Sequence, residues 1–224
     1  MFKKFRELFG SENLLDQAYE TTVKMLETDF EMYKAARHSL RESETAELPV
    51  DVRKKDKQIN KFERQVRRNV LTHLTVAGNA NLVPGLILVS IVIDVERIGD
   101  YTKNIVDLAE RHPGKLLGGS FESTLNDIET AVIENFDLAI TVLKTQDKKH
   151  GQQIMNSEEG ISRQCENIVV ALLSKPNDSI NQQDAVAVAL YSRHLKRINA
   201  HITNIVSSIV NPFPRIGFRE KPKS

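Results

Sequence analysis

The chain has 224 residues, 40% of them hydrophobic and 27% charged, with a net charge of +1, no Trp and one Cys. That is enough apolar material for a core and too balanced a charge for a disordered tail or a nonspecific nucleic-acid binder. The single Cys165 excludes an internal disulfide framework and a multi-cysteine zinc site.

The pattern is helical from end to end, and no strand is expected. The N-terminal MFKKFRELFG is basic and amphipathic and lacks the features of a secretory leader, so a cytoplasmic location is expected. Ser11 is placed to cap a first helix whose apolar stripe is Tyr19, Val23, Leu26, Phe30, Tyr33 and Leu40. After Glu47-Leu48-Pro49, a second helix carries Ile59, Phe62, Val66, Val70 and His73. A break at residues 77–81 precedes a third, with Pro84 in its first turn. Its stripe is Ile91, Val95, Ile98, Thr102, Ile105 and Ala109, and His112-Pro113-Gly114 stops it. The longest apolar run, Leu82 to Ile93, is short of the ~20 residues of a spanning helix.

Three further helices follow. Phe121, Leu125, Ile128, Val132, Phe136, Ala139 and Leu143 mark the fourth, and Ile154, Ile161, Cys165, Ile168 and Leu172 the fifth. A turn at residues 175–178, with Asp178 or Ser179 as cap, leads into the sixth, with Tyr191, Leu195, Ile198, Ile202, Ile205 and Ile209. Pro212 and Pro214 end regular structure and leave a basic tail. Six long helices with short connections imply an all-α fold of antiparallel bundles.

The chain repeats itself at a shift of 100 residues. VERIGDYTKNIV at 95–106 lies on LKRINAHITNIV at 195–206, with Arg97/Arg197, Ile98/Ile198, Asn104/Asn204, Ile105/Ile205 and Val106/Val206 identical. Core packing alone would not select the shared Arg and Asn, so the chain reads as a duplicated three-helix unit. The expected division is 1–115, 116–211 and a tail at 212–224.

The residues that could carry chemistry are acids. Glu96 and Asp100 are four apart and share a helix face nearly opposite the Ile91–Ile98–Ile105 stripe. Asp56, Asn60 and Glu63 follow i, i+4, i+7 spacing on the second helix. If the two helices are neighbours, five oxygen-bearing side chains approach one another, a ligand type suited to hard or borderline cations. Surface acids more often pair with Lys or Arg, and Lys57, Lys61, Arg64, Arg97 and Lys103 are available for that. His194 and His201 lack a ligand at i+3 or i+4 and are not expected to bind metal. No phosphate-binding loop, nucleophile elbow or metalloprotease motif is present, so no catalytic residues are assigned and an enzyme is not expected.

The segment DVERIGDYTKNI at 94–105 resembles the signature helix of the PhoU family, and DKQINKFE at 56–63 is similar to the helix that precedes it there. The resemblance implies two tandem three-helix bundles. It also implies a non-enzymatic regulator of phosphate uptake and phosphate-starvation signalling. The partners it implies are a phosphate ABC transporter ATPase, a phosphate-sensing histidine kinase or a sodium–phosphate cotransporter, with potassium transport as an alternative setting. Any membrane contact would then come through the partner, and the expected oligomer is a homodimer. Family members bind iron or zinc clusters through their acidic motifs. Carried over, the metal ligands are Glu96 and Asp100, then Asp56 and Glu63, with Asn60 standing where the family often has Asp. Manganese or magnesium is a less favoured occupant. A metal-free helical interaction module is the alternative. Lys196 and Ala200 replace Glu96 and Asp100 in the second repeat, so no equivalent cluster is expected there.

Overall fold

The computed structural model describes residues 14–77, 81–112, 114–174 and 179–218. Ser11, the basic N-terminal segment, Pro113, Asp178 and the last six residues lie outside that set. Among the described residues there are six long helices: α1 Leu14–Arg41, α2 Val52–Ala77, α3 Leu82–Arg111, α4 Glu122–Thr145, α5 Lys148–Ser174 and α6 Gln182–Val210. Among the described residues there is no strand, as the uninterrupted 3.6-residue periodicity requires. No described helix is long and apolar enough to cross a membrane.

The helix ends follow local chemistry. α3 stops at Arg111 because His112 leaves the helical region, and Gly114 then takes φ +144°, which disfavours a side chain. α4 closes on Gln146, a left-handed residue at φ 60°. The cap of α6 is Asn181, whose side chain accepts the Asp184 N–H at 2.8 Å; the sequence had pointed two or three residues earlier. Beyond Pro212 the chain makes one 3-10 turn, Phe213–Arg215, and folds back so that Gly217 N–H donates to Ser207 Oγ at 2.8 Å.

α2 packs on α1 and α3, and α5 packs on α4 and α6. The two triplets meet through α1 against α4 and α3 against α6. α2 and α5 are therefore outer helices, and α3 is covered by three neighbours. Both crossings are antiparallel. On one side Phe30 stacks on Phe136 with ring centroids 5.0 Å apart, while Tyr19 near one end of α1 reaches the Leu143 carbonyl near the opposite end of α4. On the other side Asp94 meets His201 and His112 meets Asp184. The apolar stripes of all six helices join one continuous core.

A buried ion network locks α1 to α4. Glu129, 1% exposed, accepts Arg37 Nε at 2.9 Å and Arg41 Nε at 2.8 Å. Arg41 also donates to Glu122 and to the Leu116 carbonyl, so its guanidinium is satisfied although nearly buried. Removing one partner of such a network leaves an uncompensated buried charge. Glu129→Ala is expected to destabilise the protein by about 3–5 kcal/mol. Urea unfolding would read this as a fall in midpoint, and Glu122→Ala, at the exposed end of the network, should cost far less.

Candidate functional site

α2 and α3 run antiparallel with Asp56 opposite Asp100, and their acids line one groove. Lys103 Nζ bridges the two carboxylates, at 2.9 Å from Asp56 Oδ1 and 2.8 Å from Asp100 Oδ1. Asn60 donates to Asp56 Oδ2 at 3.3 Å. Glu63, one turn further along α2, pairs with Arg67 at 2.7 Å. Glu96 and Asp100 are flanked by Arg97, at 3.9 Å and 3.4 Å. All five side chains singled out from the sequence thus lie along this groove.

Glu96 and Asp100 line the groove with side chains 19% and 31% exposed, because α3 is also covered by α2 and α6. Of the five available cations, only Arg97 and Lys103 serve the acids. Among the described residues Lys57, Lys61 and Arg64 form no ion pair with them, since they point away from the bundle.

The groove has a floor that the sequence reading missed. Asp29 of α1 is fully buried, and neither carboxylate oxygen has a hydrogen-bond partner. It faces Gly99, where an added Cβ would lie 3.0 Å from Asp29 Oδ1 and 3.8 Å from Asp56 Oδ1. Gly99 is thus the opening that admits a carboxylate between the helices. The clue in the sequence was register. Asp29 shares a face with the buried Met25, Met32 and Ala36, a line where an acid is out of place.

Electrostatics follow from this crowding. Burial pushes the Asp29 carboxyl well above the usual carboxylate range, and the charges of Asp56, Glu96 and Asp100 push the same way. Glu96 is also raised, by burial first and then by Asp100 and Glu63, with Arg97 opposing. Burial acts against the Lys103 ammonium, but its hydrogen bonds to Asp100 and Asp56 outweigh that and raise it above its ordinary value. The groove is a concentration of negative charge that holds one ammonium. The donor set is oxygen throughout, with the unpartnered Asp29 carboxyl behind it, so its chemistry fits a hard or borderline cation. Among the described residues no three acidic, His or Cys side chains are yet arranged to hold a metal ion.

The second repeat answers the same packing problem differently. Asn135 precedes Phe136 as Asp29 precedes Phe30, and Asn199 takes the place of Gly99. Asn135 donates to Asn199 Oδ1 at 2.8 Å and to Ser157 Oγ at 3.3 Å, and both asparagines are buried. A neutral amide pair fills the space that in the first repeat holds an unpaired carboxylate over a glycine. Lys196, in the place of Glu96, pairs with Glu166. The histidines act as structural partners. Asp94 accepts His201 Nδ1 at 2.7 Å and Asn204 at 3.1 Å across the α3–α6 seam, and His194 and His201 lie against the Tyr101 ring.

Comparison with known proteins places the fold. The PhoU domain model matches twice, at residues 22–109 and 125–209. PhoU from Pseudomonas aeruginosa superposes with a TM-score of 0.76 at 20% identity, over 88% of this chain and 95% of that one. The phosphate transport system regulatory protein PhoU from Streptococcus pneumoniae gives 0.66 at 16% identity, over 88% and 91%. At these identities the likeness is one of fold. An uncharacterized protein of Methanocaldococcus jannaschii is 27% identical over 113 residues. That match covers 48% of this chain and 39% of the relative, so the chain spans well under half the relative's length.

The raised Asp29 carboxyl fixes a sign. A carboxyl that holds its proton more tightly when folded contributes stability at low pH. That contribution fades as pH rises from the unfolded value near 3.8 toward the raised folded one. In chelator-treated protein, Asp29→Asn is therefore expected to be more stable than the parent at neutral pH, by about 1–3 kcal/mol. The gap should close as pH falls toward 4; thermal melts across that range measure it.

Proposed function

The chain belongs to the PhoU family, and from that premise we propose that it regulates phosphate transport by protein–protein contact, with a metal ion held in the acidic groove of its first repeat. The observation that carries the metal reading is the orphaned Asp29 carboxylate behind Asp56, Glu96 and Asp100. A buried carboxyl without a hydrogen-bond partner is costly to ionise, and a bound cation would remove that cost. The contrast with the satisfied Asn135–Asn199 pair supports the same reading, since the second repeat has no such need.

Asp29, Asp56, Glu96 and Asp100 would hold the ion, with Glu63 and Asn60 at its margin. Iron or zinc is the expected occupant, with manganese or magnesium behind them. The ion's chemistry is charge neutralisation and cross-linking of α1, α2 and α3. The chain's own residues do the rest: Gly99 keeps the space open, and Lys103 gives up its place between Asp56 and Asp100. The role is regulatory rather than catalytic, since no nucleophile and base are paired here. The proposed partners are a phosphate ABC transporter ATPase and a phosphate-sensing histidine kinase. A sodium–phosphate cotransporter is the alternative setting. A cytoplasmic homodimer is the form we expect.

Elemental analysis of protein purified without chelator tests the site. Stoichiometric metal should be present, and Glu96→Gln/Asp100→Asn should lose it with the helical content unchanged. Metal absent from both proteins after reconstitution would leave a metal-free contact module. Lys103→Met supplies a further check. Removing the competing ammonium should tighten divalent-cation binding by roughly tenfold in a calorimetric titration, and weaker binding would show that Lys103 supports the site.

A further inference from the structure

Lys54, Lys57, Lys61, Arg64 and Arg68 follow 3-4-3-4 spacing along α2 and share one face. All five are exposed. Among the described residues none of them forms an ion pair, although their neighbours do: Arg53 with Asp107 and Glu110, Lys55 with Glu31, Arg67 with Glu63. Like charges at these spacings oppose helix formation, so a bare row of five is not what helix stability selects. α2 carries eight basic and two acidic residues, while the whole chain is only +1. The rest of the molecule is therefore net acidic, and the positive charge is concentrated on this ridge.

The duplication supplies a control. Setting the buried Val52, Ile59 and Val66 of α2 on Ile154, Ile161 and Ile168 of α5 aligns the two outer helices. Asn156, Glu159, Arg163, Glu166 and Val170 then take the places of the five cations. The basic row is a property of the first repeat alone and not of the outer-helix position.

We propose that this row is a docking surface for an acidic helix of a partner protein. It runs roughly 21 Å, at 1.5 Å per residue, and its spacing matches carboxylates presented at i, i+3 and i+4 on a second helix. Leu71 continues the same spacing and is 68% exposed, so the charged row ends on an apolar side chain of the kind that interfaces bury. The flanks decide against a flat anionic surface. Glu31 borders the row on the α1 side and Asp107 and Glu110 on the α3 side, so the unpaired positive charge is confined to a strip one helix wide. No aromatic side chain lies among the five cations to stack nucleic-acid bases. A narrow, linear, acidic occupant touches the cations and passes between the flanking acids.

The proposal rests on the reading of the chain as a regulator that works by contact, and its test separates the two. A fluorescent helical peptide with glutamates at 3-4-3-4 spacing and a terminal leucine is titrated with the full chain, beside a peptide of the same composition in scrambled order. Vesicles of phosphatidylglycerol with phosphatidylcholine, and a single-stranded DNA, are the competing probes. The ordered peptide should bind best, with affinity that falls as salt rises. Lys57→Glu/Lys61→Glu/Arg64→Glu should weaken it on the order of a hundredfold, with circular dichroism unchanged because the three sites are exposed. Equal binding of the two peptides, or preference for vesicles or DNA, overturns the proposal. So does a variant that binds as well as the parent. In a deletion strain, restored repression of a phosphate-starvation reporter by the parent chain is the separate readout of regulation. Restoration by both parent and variant sinks the docking surface and keeps the regulator; failure of the parent sinks the regulator itself.

Discussion

α3 is packed on by α1, α2 and α6 at once, and that constraint organises the molecule. A helix covered from three sides has little free surface, so each of its polar residues must find a partner or a purpose. Asp94 turns to α6 and accepts hydrogen bonds from His201 and Asn204. Glu96 and Asp100 turn to α2 and are only partly wetted. Gly99, between them, has no side chain and lets Asp29 of α1 approach from behind. A surface pair of acids would have been worth little on its own. Confinement between helices makes it a coupled set of charges.

The two halves then show what one architecture tolerates. Each brings a polar residue from its first helix against its third at the level of the stacked Phe30 and Phe136. The second half satisfies that residue internally, with two buried asparagines in mutual hydrogen bond. The first leaves it as a buried carboxyl without a hydrogen-bond partner. The packing frame needs only that the volume be filled, while the choice of amide or carboxylate decides whether the buried group can satisfy itself. The same division shows on the outer helices, where α2 carries a bare row of cations and α5 does not.

The inter-repeat seam explains why the halves do not behave as beads on a string. Glu129 holds Arg37 and Arg41 across the α1–α4 crossing, with aromatic stacking beside it. Buried networks of this kind are geometrically demanding, since every lone pair and proton needs its partner. They fix the relative register of the two triplets more tightly than apolar contact alone, which tolerates sliding.

The sequence by itself determined the helical fold, the six elements, the internal repeat and the acids at 56, 63, 96 and 100. All of these are periodic signals, and periodicity is local: a residue's face follows from its distance to its neighbours along one helix. Asp29 is out of register on an apolar line of α1, but what it meets, Gly99 and Asp56, is set only by the opposing helices. The sequence also offers five cations for the acids without choosing among them. Lys57 and Lys61 are closer to Asp56 in sequence, yet Lys103 bridges Asp56 and Asp100. Which face of α2 turns outward, and which helix covers α3 a third time, depend on contacts between residues far apart in the chain. Only tertiary packing supplies those, because burial and charge pairing are set by neighbours in space.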